Sequence, residues 1–439
     1  MAALMAQFRT DTSKYSLDNK TLFEVNMLSS RFTASGTATD AFGRLRVANP
    51  LTLFDSFHRY QDNGKFSTST SGTANTQYQA NESVVDLNVG TASGDRCYRE
   101  TKRVFAYQPG KSLLIMNTFA MNEQKANLRQ RVGYFNSQNG VFLENDGTGN
   151  YLVLRTYTSG SVVETRVAQA NWNIDKFDGT GASSQSGHPD RGNLNTAKSN
   201  IFWVDIEWLG VGDVRCGFVV DGLMVPAHVF HNDNLNATTY MTTAILPVRY
   251  EIENTGITAS VSKMKQICST VVSEGGYTLE GRARSVSIPI TTPKDLPTAG
   301  TFTPVMSIRL KDSFKDALAV LKDVEFFGIT NNTSYRYKII IGGTLTDASW
   351  ASAASDSPIE YDLAATAISG GRDAQVGYVN VSAGAGGAAV NLGRETLFTY
   401  QFERDPFAVS DAGTIITLAA TGAANGNDGV GAMTWEEIT

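Results

Sequence analysis

The residues able to do chemistry fall into a few short clusters. Asp205 and Glu207 alternate along the segment 201–209, IFWVDIEWL, so both carboxylates project from one face of a strand. Such a pair suits glycoside hydrolysis, whose retaining form needs a nucleophile and an acid/base about 5 Å apart. It suits equally the wetter face of a strand whose other face is core. His228, His231 and Asp233 in HVFHND offer zinc ligands, but H-x-x-H at a strand end sends its two rings to opposite faces. Surface or loop histidines account for the same residues, and His58 and His188 show no partner. The acidic turns Glu144-Asn145-Asp146-Gly147 and Asp175 with Asp178-Gly179 supply carboxylates and carbonyls that could hold calcium. They lack an EF-hand pattern, and turn formation explains them too. Tyr134, Tyr151, Trp172 and Phe177 could stack on sugars from loops, or fill a core. No G-x-S-x-G, P-loop or dinucleotide fingerprint is present. The expectation is a non-enzymatic chain with no catalytic, cofactor-binding or metal residues, calcium being the one candidate ion.

The elements that would position these groups centre on the segment 201–231. Ile201 to Glu207 alternate in and out as a strand, and two further strands flank Asp221-Gly222, a dipeptide suited to a two-residue type I′ turn. That turn sets Val220 opposite Leu223, Phe218 opposite Val225, Cys216 opposite Ala227 and Val214 opposite Val229, an apolar face. The other face pairs Val219 with Met224, Gly217 with Pro226 and Arg215 with His228. Pro226 falls at a non-hydrogen-bonded site, where its missing N–H does not weaken the ladder.

With 439 residues, the chain exceeds one ordinary core. Residues 1–48 are polar and read as an N-terminal arm that orders on a partner, docking Leu22, Phe23, Val25 and Leu28. Residues 49–275 carry closely spaced strands without crossover helices, which predicts a large antiparallel β-sandwich of jelly-roll or lectin type. A polar loop, 177–200, interrupts them. Residues 276–302 read as a linker and 303–439 as a second, smaller β-domain. Within that domain 311–323 fits either a short helix through Phe314, Leu318 and Leu321 or a strand through Leu318, Val320 and Lys322, while SAGAGGAA and TGAANGNDGVGAM read as small-residue loops.

The formal charge of −6 argues against a nucleic-acid footprint. Cys97, Cys216 and Cys268 lack metal spacing and predict buried thiols of a reducing cytoplasm. No apolar run reaches about 18 residues, so no membrane insertion is expected. The opening MAALMAQFRT lacks the layout of a signal peptide.

Three segments carry a family resemblance: AFGRLRVANPLTLFDSFHRY (41–60), RQRVGYFNSQNGVFLENDG (129–147) and WVDIEWLGVGDVRCGFVVDG (203–222). In these the chain resembles virion structural proteins of tailed bacteriophages. The resemblance implies a tail, baseplate or fibre-like appendage protein, or alternatively a head-decorating or head-fibre protein. It further implies assembly in the bacterial cytoplasm, residence in the virion, a trimer or higher symmetric homo-oligomer, and contact with other virion proteins and with host surface glycan. Residues 201–231 also resemble concanavalin- and laminin-G-like sandwiches, which makes a carbohydrate-binding or glycan-cleaving module a further alternative. WVDIE is similar to the E-x-D-x-E strand of concanavalin-like retaining glycosidases, with Trp203 at the nucleophile position, so covalent retention cannot run.

Overall fold

Asp221 (φ 52°) and Gly222 (φ 78°) both occupy the left-handed region, so the central hairpin closes through the type I′ turn that its dipeptide predicts. This computed structural model describes residues 48–181, 192–277, 281–314, 316–382, 389–390, 400–408 and 413–438. The expected arm with Leu22, Phe23, Val25 and Leu28, the centre of the 177–200 loop with His188, and most of SAGAGGAA lie outside the described residues.

The expected register holds from Val220–Leu223 to Gly217–Pro226 and then shifts by one residue, leaving Cys216 opposite His228, Arg215 opposite Val229 and Val214 opposite Phe230. Ala227 is the extra residue. Its carbonyl accepts the backbone N–H groups of Ile174 and Asp175, each at 3.1 Å, so a distant segment draws it out of the ladder. The bulge follows the proline directly.

The strands of the first half are β1 (Leu51–Ser56), β2 (Phe66–Ser71), β3 (Asn75–Gln79), β4 (Val84–Val89), β5 (Arg96–Thr101), β6 (Leu113–Ala120), β7 (Leu128–Phe135), β8 (Gly140–Asn145), β9 (Asn150–Thr156), β10 (Val163–Ala168), β11 (Asn200–Ile206), β12 (Val214–Val220), β13 (Leu223–Phe230), β14 (Val248–Asn254) and β15 (Ser262–Ser273). They form two antiparallel sheets. One runs β13-β12-β11-β6-β15-β4-β3 with β1 also on β15, and the other β10-β9-β8-β7-β14-β5-β2. Alternate residues of both meet in one core that contains Phe119, Val132, Tyr134, Phe202, Phe218 and Tyr250. Long-range pairings such as β15 with β6 make each sheet depend on segments far apart in the chain.

The second half adds β16 (Arg282–Ser287), β17 (Lys294–Leu296), β18 (Thr303–Leu310), β19 (Leu318–Gly328), β20 (Thr333–Ile341), β21 (Thr344–Thr346), β22 (Trp350–Ser352), β23 (Ile359–Asp362), β24 (Ala367–Ser369), β25 (Arg372–Val381), β26 (Ala389–Val390), β27 (Ile416–Gly422) and β28 (Asn427–Ile438). Its sheets, β16-β28-β19-β26 with β17 on β28, and β22-β23-β18-β27-β20-β25, enclose a second core around Leu321, Phe326, Ile339, Leu418 and Trp435. Two sequence expectations change here, and the one left open is decided. The 276–302 stretch contributes β16 and β17, both paired to β28. The ambiguous 311–323 segment enters strand β19. NDGVGAM forms part of the long strand β28 rather than a loop, because its glycines admit close neighbours: a Cβ at Gly429 would stand 2.8 Å from the Phe326 ring, and one at Gly431 2.6 Å from Leu418.

Residues Pro50–Thr439 form one compact unit, and the two cores meet inside it. The first four residues of β19 are buried on both faces: Ala319 and Leu321 enter the second core, while Leu318 and Val320 pack with Ala106, Ile245, Tyr277 and Ile438 at the junction. Arg103 Nε donates to Glu403 Oε1 at 2.8 Å, and Gln401 Nε2 donates to the Val104 carbonyl at 3.0 Å. Among the described residues no helix is long and apolar enough to cross a membrane.

Candidate functional site

On β11 the carboxylates do not form a catalytic pair. Asp205 sits directly across from Arg215 on β12, is almost buried, and is ion-paired to that guanidinium. Burial raises its pKa, against the pull of Arg215. Glu207 lies past the end of β11, where its N–H donates to the Asp213 carbonyl at 3.1 Å, and its side chain is exposed. Trp203 is buried with its indole N–H on the Phe218 carbonyl at 3.2 Å.

The richest array of charge lies elsewhere, on the outer face of the sheet from β10 to β2. Cross-strand register sets Arg131 between Glu144 and Glu251, Arg129 beside Glu253, Arg249 beside Glu100 and Arg155 beside Glu164. Each carboxylate is taken. Glu144 accepts from Arg131 Nε at 2.5 Å and from Arg166 Nε at 2.8 Å; Glu251 pairs with Arg249 at 2.7 Å, Glu100 with Arg249 at 2.6 Å, and Glu164 with Arg155 at 2.7 Å. Phe135 and Phe142, fully buried, lie under the guanidiniums of Arg155, Arg131 and Arg249, whose centres stand 4.9–5.6 Å from the rings. Burial pushes Glu100 up to about 7 against Arg249, whereas at Glu164 burial is outweighed by Arg131 and Arg155, which hold its pKa below the ordinary value. Sequence reasoning missed this lattice. Its signal, charges alternating with core residues in LRQRVGYF and VRYEIEN, becomes a lattice only once strand order and register are known.

The acidic turns serve the backbone. Asp146 accepts the N–H groups of Thr148 and Gly149 at 2.9 and 3.1 Å and pairs with Arg166; Asp178 accepts the Thr180 N–H at 3.0 Å; Asp175 accepts the Phe177 N–H at 2.8 Å. His228 is buried edge-on against Phe230, with Nδ1 facing the Asn173 N–H at 3.3 Å, and burial drops its pKa to about 4. His231 meets Asp213 at 2.9 Å. His58 does have partners. It is buried, 3.7 Å from Asp62, which Arg99 clamps at 2.7 and 2.9 Å, and burial likewise drops its pKa to about 4.

Tyr134, Trp172 and Phe177 are core residues, Tyr134 hydrogen-bonding the carbonyls of Phe105 and Ala244 at 2.9 Å each. Tyr151 is half-buried under Arg166. Cys97 and Cys216 are buried as expected, with the Cys97 thiol pushed up to about 12 by burial. Cys268 is exposed, because a register shift between Gln266 and Cys268 in β15 turns it to the outer face.

The outer face of β3, β4 and β15 holds a groove of about 550 Å³ lined by Asn75, Gln77, Gln79, Asn88, Asn122 and Lys263. Asp86 forms part of its lining. Its Oδ2 accepts Gln79 Nε2 at 2.9 Å and lies 3.3 Å from Lys263 Nζ, while its buried Oδ1 has no hydrogen-bond partner.

No family model matches this chain, and no curated protein does. Among solved structures it is similar to an endo-β-1,4-glucuronan lyase from Trichoderma reesei, with 11% identity over 50% of this chain and 95% of that one and a TM-score of 0.33. A Bacillus licheniformis β-glucanase matches at 10% identity over 50% and 96% of the two chains, with a TM-score of 0.33. A carbohydrate esterase from the Shiga toxin-encoding bacteriophage phi24B matches at 13% identity over 52% and 100%, with a TM-score of 0.30. The fold is all-β and built from antiparallel sheets.

Proposed function

We propose that this chain is a non-enzymatic structural protein of a tailed-bacteriophage particle, a tail, baseplate or fibre-like component that attaches through residues 1–48. The observation that supports a structural role is the ion-pair lattice. On the face richest in carboxylates, Glu100, Glu144, Glu164, Glu251 and Glu253 are each held by guanidinium groups, and the carboxylate of β11 is closed by Arg215. Acid–base catalysis needs a carboxylate free to exchange a proton with substrate, whereas a lattice of this kind stiffens a sheet. The protein acts as a symmetric homo-oligomer in the virion, assembled in the bacterial cytoplasm and contacting other virion proteins. Deleting residues 1–48 is expected to abolish incorporation into particles, and normal incorporation of that variant overturns the anchor. Immunogold labelling of intact particles is expected on the tail; gold on the capsid would replace this reading with that of a head-decorating protein.

A second reading, contact with host glycan, is favoured by the amide-lined groove, whose planar donors and acceptors suit hydroxyl-rich ligands. Binding of host surface polysaccharide is expected to fall in an Asn88→Ala/Gln77→Ala variant without depolymerisation of the polymer. Release of reducing ends by the intact chain would establish a glycan-cleaving module instead.

A further inference from the structure

A cleft of about 790 Å³ opens where the two halves of the unit Pro50–Thr439 meet. Thr52, Lys65 and Lys102 line it from the first half, and Ile341, Arg372 and Thr414 from the second. The backbone that carries these groups is fixed on both sides. The Lys102 N–H donates to the Lys65 carbonyl at 3.0 Å, and the Lys102 carbonyl accepts the Arg404 N–H at 3.1 Å. Arg372 forms the last rung of β25 on β20, opposite Ile341, and the Gly342 N–H donates to the Ile415 carbonyl at 2.9 Å. Leu53 and Phe54, both buried, add an apolar strip.

The charge inside this cleft opposes that of the chain. Lys65, Lys102, Arg103 and Arg372 line it against Asp55 and Glu403, four cations to two carboxylates, in a molecule of formal charge −6. Both carboxylates are committed. Glu403 accepts from Arg103 Nε at 2.8 Å, and Asp55 lies 3.6 Å from Lys65 Nζ. Lys102 and Arg372 make no ion pair among the described residues. Two unneutralised cations that enter one concave space from different halves attract an anion more strongly than the same charges on a convex surface, because the protein walls displace screening water.

We propose that this cleft binds an acidic sugar, a hydroxylated ring bearing a carboxylate or a phosphate, with Lys102 and Arg372 holding the anionic group. The planar guanidinium grips either anion through two parallel N–H groups, and the ammonium adds a point charge. The hydroxyls of Thr52 and Thr414 match ring hydroxyls, and Leu53 with Ile341 matches the apolar face of a ring. The volume falls in the usual range of small-ligand sites, about 300–1,000 Å³. Because both halves contribute to the walls, a bound ligand ties them together and stabilises the fold by mass action. The cleft is separate from the amide-lined groove on β3, β4 and β15, and neither site depends on the other.

The test is calorimetric titration of the full chain at low salt with trigalacturonate and with glucose 6-phosphate, beside neutral maltotriose, inorganic pyrophosphate and a tri-aspartate peptide. One saturable site is expected for an acidic sugar, trigalacturonate assigning the carboxylate and glucose 6-phosphate the phosphate, with a rise in melting temperature and loss of affinity as salt is added. Lys102→Gln and Arg372→Gln are expected to weaken binding at least tenfold each while leaving the ligand-free melting temperature unchanged, since neither residue is ion-paired. Asn88→Ala/Gln77→Ala, in the other groove, is expected to leave affinity unaltered. The proposal is overturned if neither acidic sugar binds, if maltotriose, pyrophosphate or the peptide binds as tightly, if the Lys102→Gln/Arg372→Gln double variant keeps full affinity, or if Asn88→Ala/Gln77→Ala removes the site.

Discussion

Arg131 shows what a single side chain does here: its guanidinium bridges Glu144, Glu164 and Glu251 and covers the ring of Phe142. Removing one carboxylate leaves buried cations uncompensated. Glu144→Ala is therefore expected to lose about 3–5 kcal/mol of stability, read from urea unfolding, because the partners of Glu144 are left in place. Acid and base sides of the pH profile have separate origins. His58 and His228, with pKa values lowered to about 4 from an ordinary 6.5, stay neutral in the fold while the unfolded chain takes up protons. Their contribution is full above pH 6.5 and is lost as pH falls toward 4. Glu100 works in the opposite sense. With its pKa raised from 4.5 to about 7, the fold keeps a proton that the unfolded chain has released, so its contribution is full below pH 4.5 and is lost as pH rises through 7. Urea midpoints across pH 4–8 are expected to show a shallower alkaline decline in Glu100→Gln than in the parent chain. An unchanged slope would place the decline elsewhere. At this scale the sequence was readable for Phe218, whose alternation marked it as core, and unreadable for Arg131, whose three partners come from three other strands.

At the scale of elements, the hairpin separates local from distant information. Asp221-Gly222 fixes its own turn, and the register follows as far as Gly217–Pro226. The bulge at Ala227 answers to the N–H groups of Ile174 and Asp175, which no local rule could anticipate. The start of β19 was ambiguous for a different reason: from Leu318 to Leu321 both faces are buried, so the alternation that separates strand from helix is missing there. Two glycines of the hairpin sharpen the point. A Cβ at Gly222 meets nothing within 4 Å, so Gly222→Ala is expected to cost only the left-handed backbone term, about 1 kcal/mol. A Cβ at Gly217 would lie 2.1 Å from the Val225 carbonyl oxygen and 2.6 Å from the Trp203 ring, so Gly217→Ala is expected to lose several-fold more. Equal losses in chemical denaturation would contradict the packing of Trp203 across β12.

For the whole molecule, composition and strand spacing disclosed the all-β class and the turn-rich first half, because these depend on local patterns. The closeness of the two halves was not legible. Where 276–302 suggested a linker, Leu318, Val320 and Ala106 form a small apolar junction, flanked by the Arg103–Glu403 pair. The two halves are expected to melt in a single calorimetric transition, and Val320→Asp, which buries a charge at that junction, to split it into two. Two transitions in the parent chain would show the junction too weak to couple them.

The exposure of Cys268 has a practical outcome. Of the 3 cysteines, Cys97 and Cys216 are sealed in the core, while Cys268 stands on the outer face of β15. Folded protein should thus consume one equivalent of a maleimide in mildly alkaline buffer, against three after denaturation. That single handle would let a fluorophore or a gold cluster be attached at a known address on the sandwich, giving each copy a direction that microscopy of an assembled particle could read.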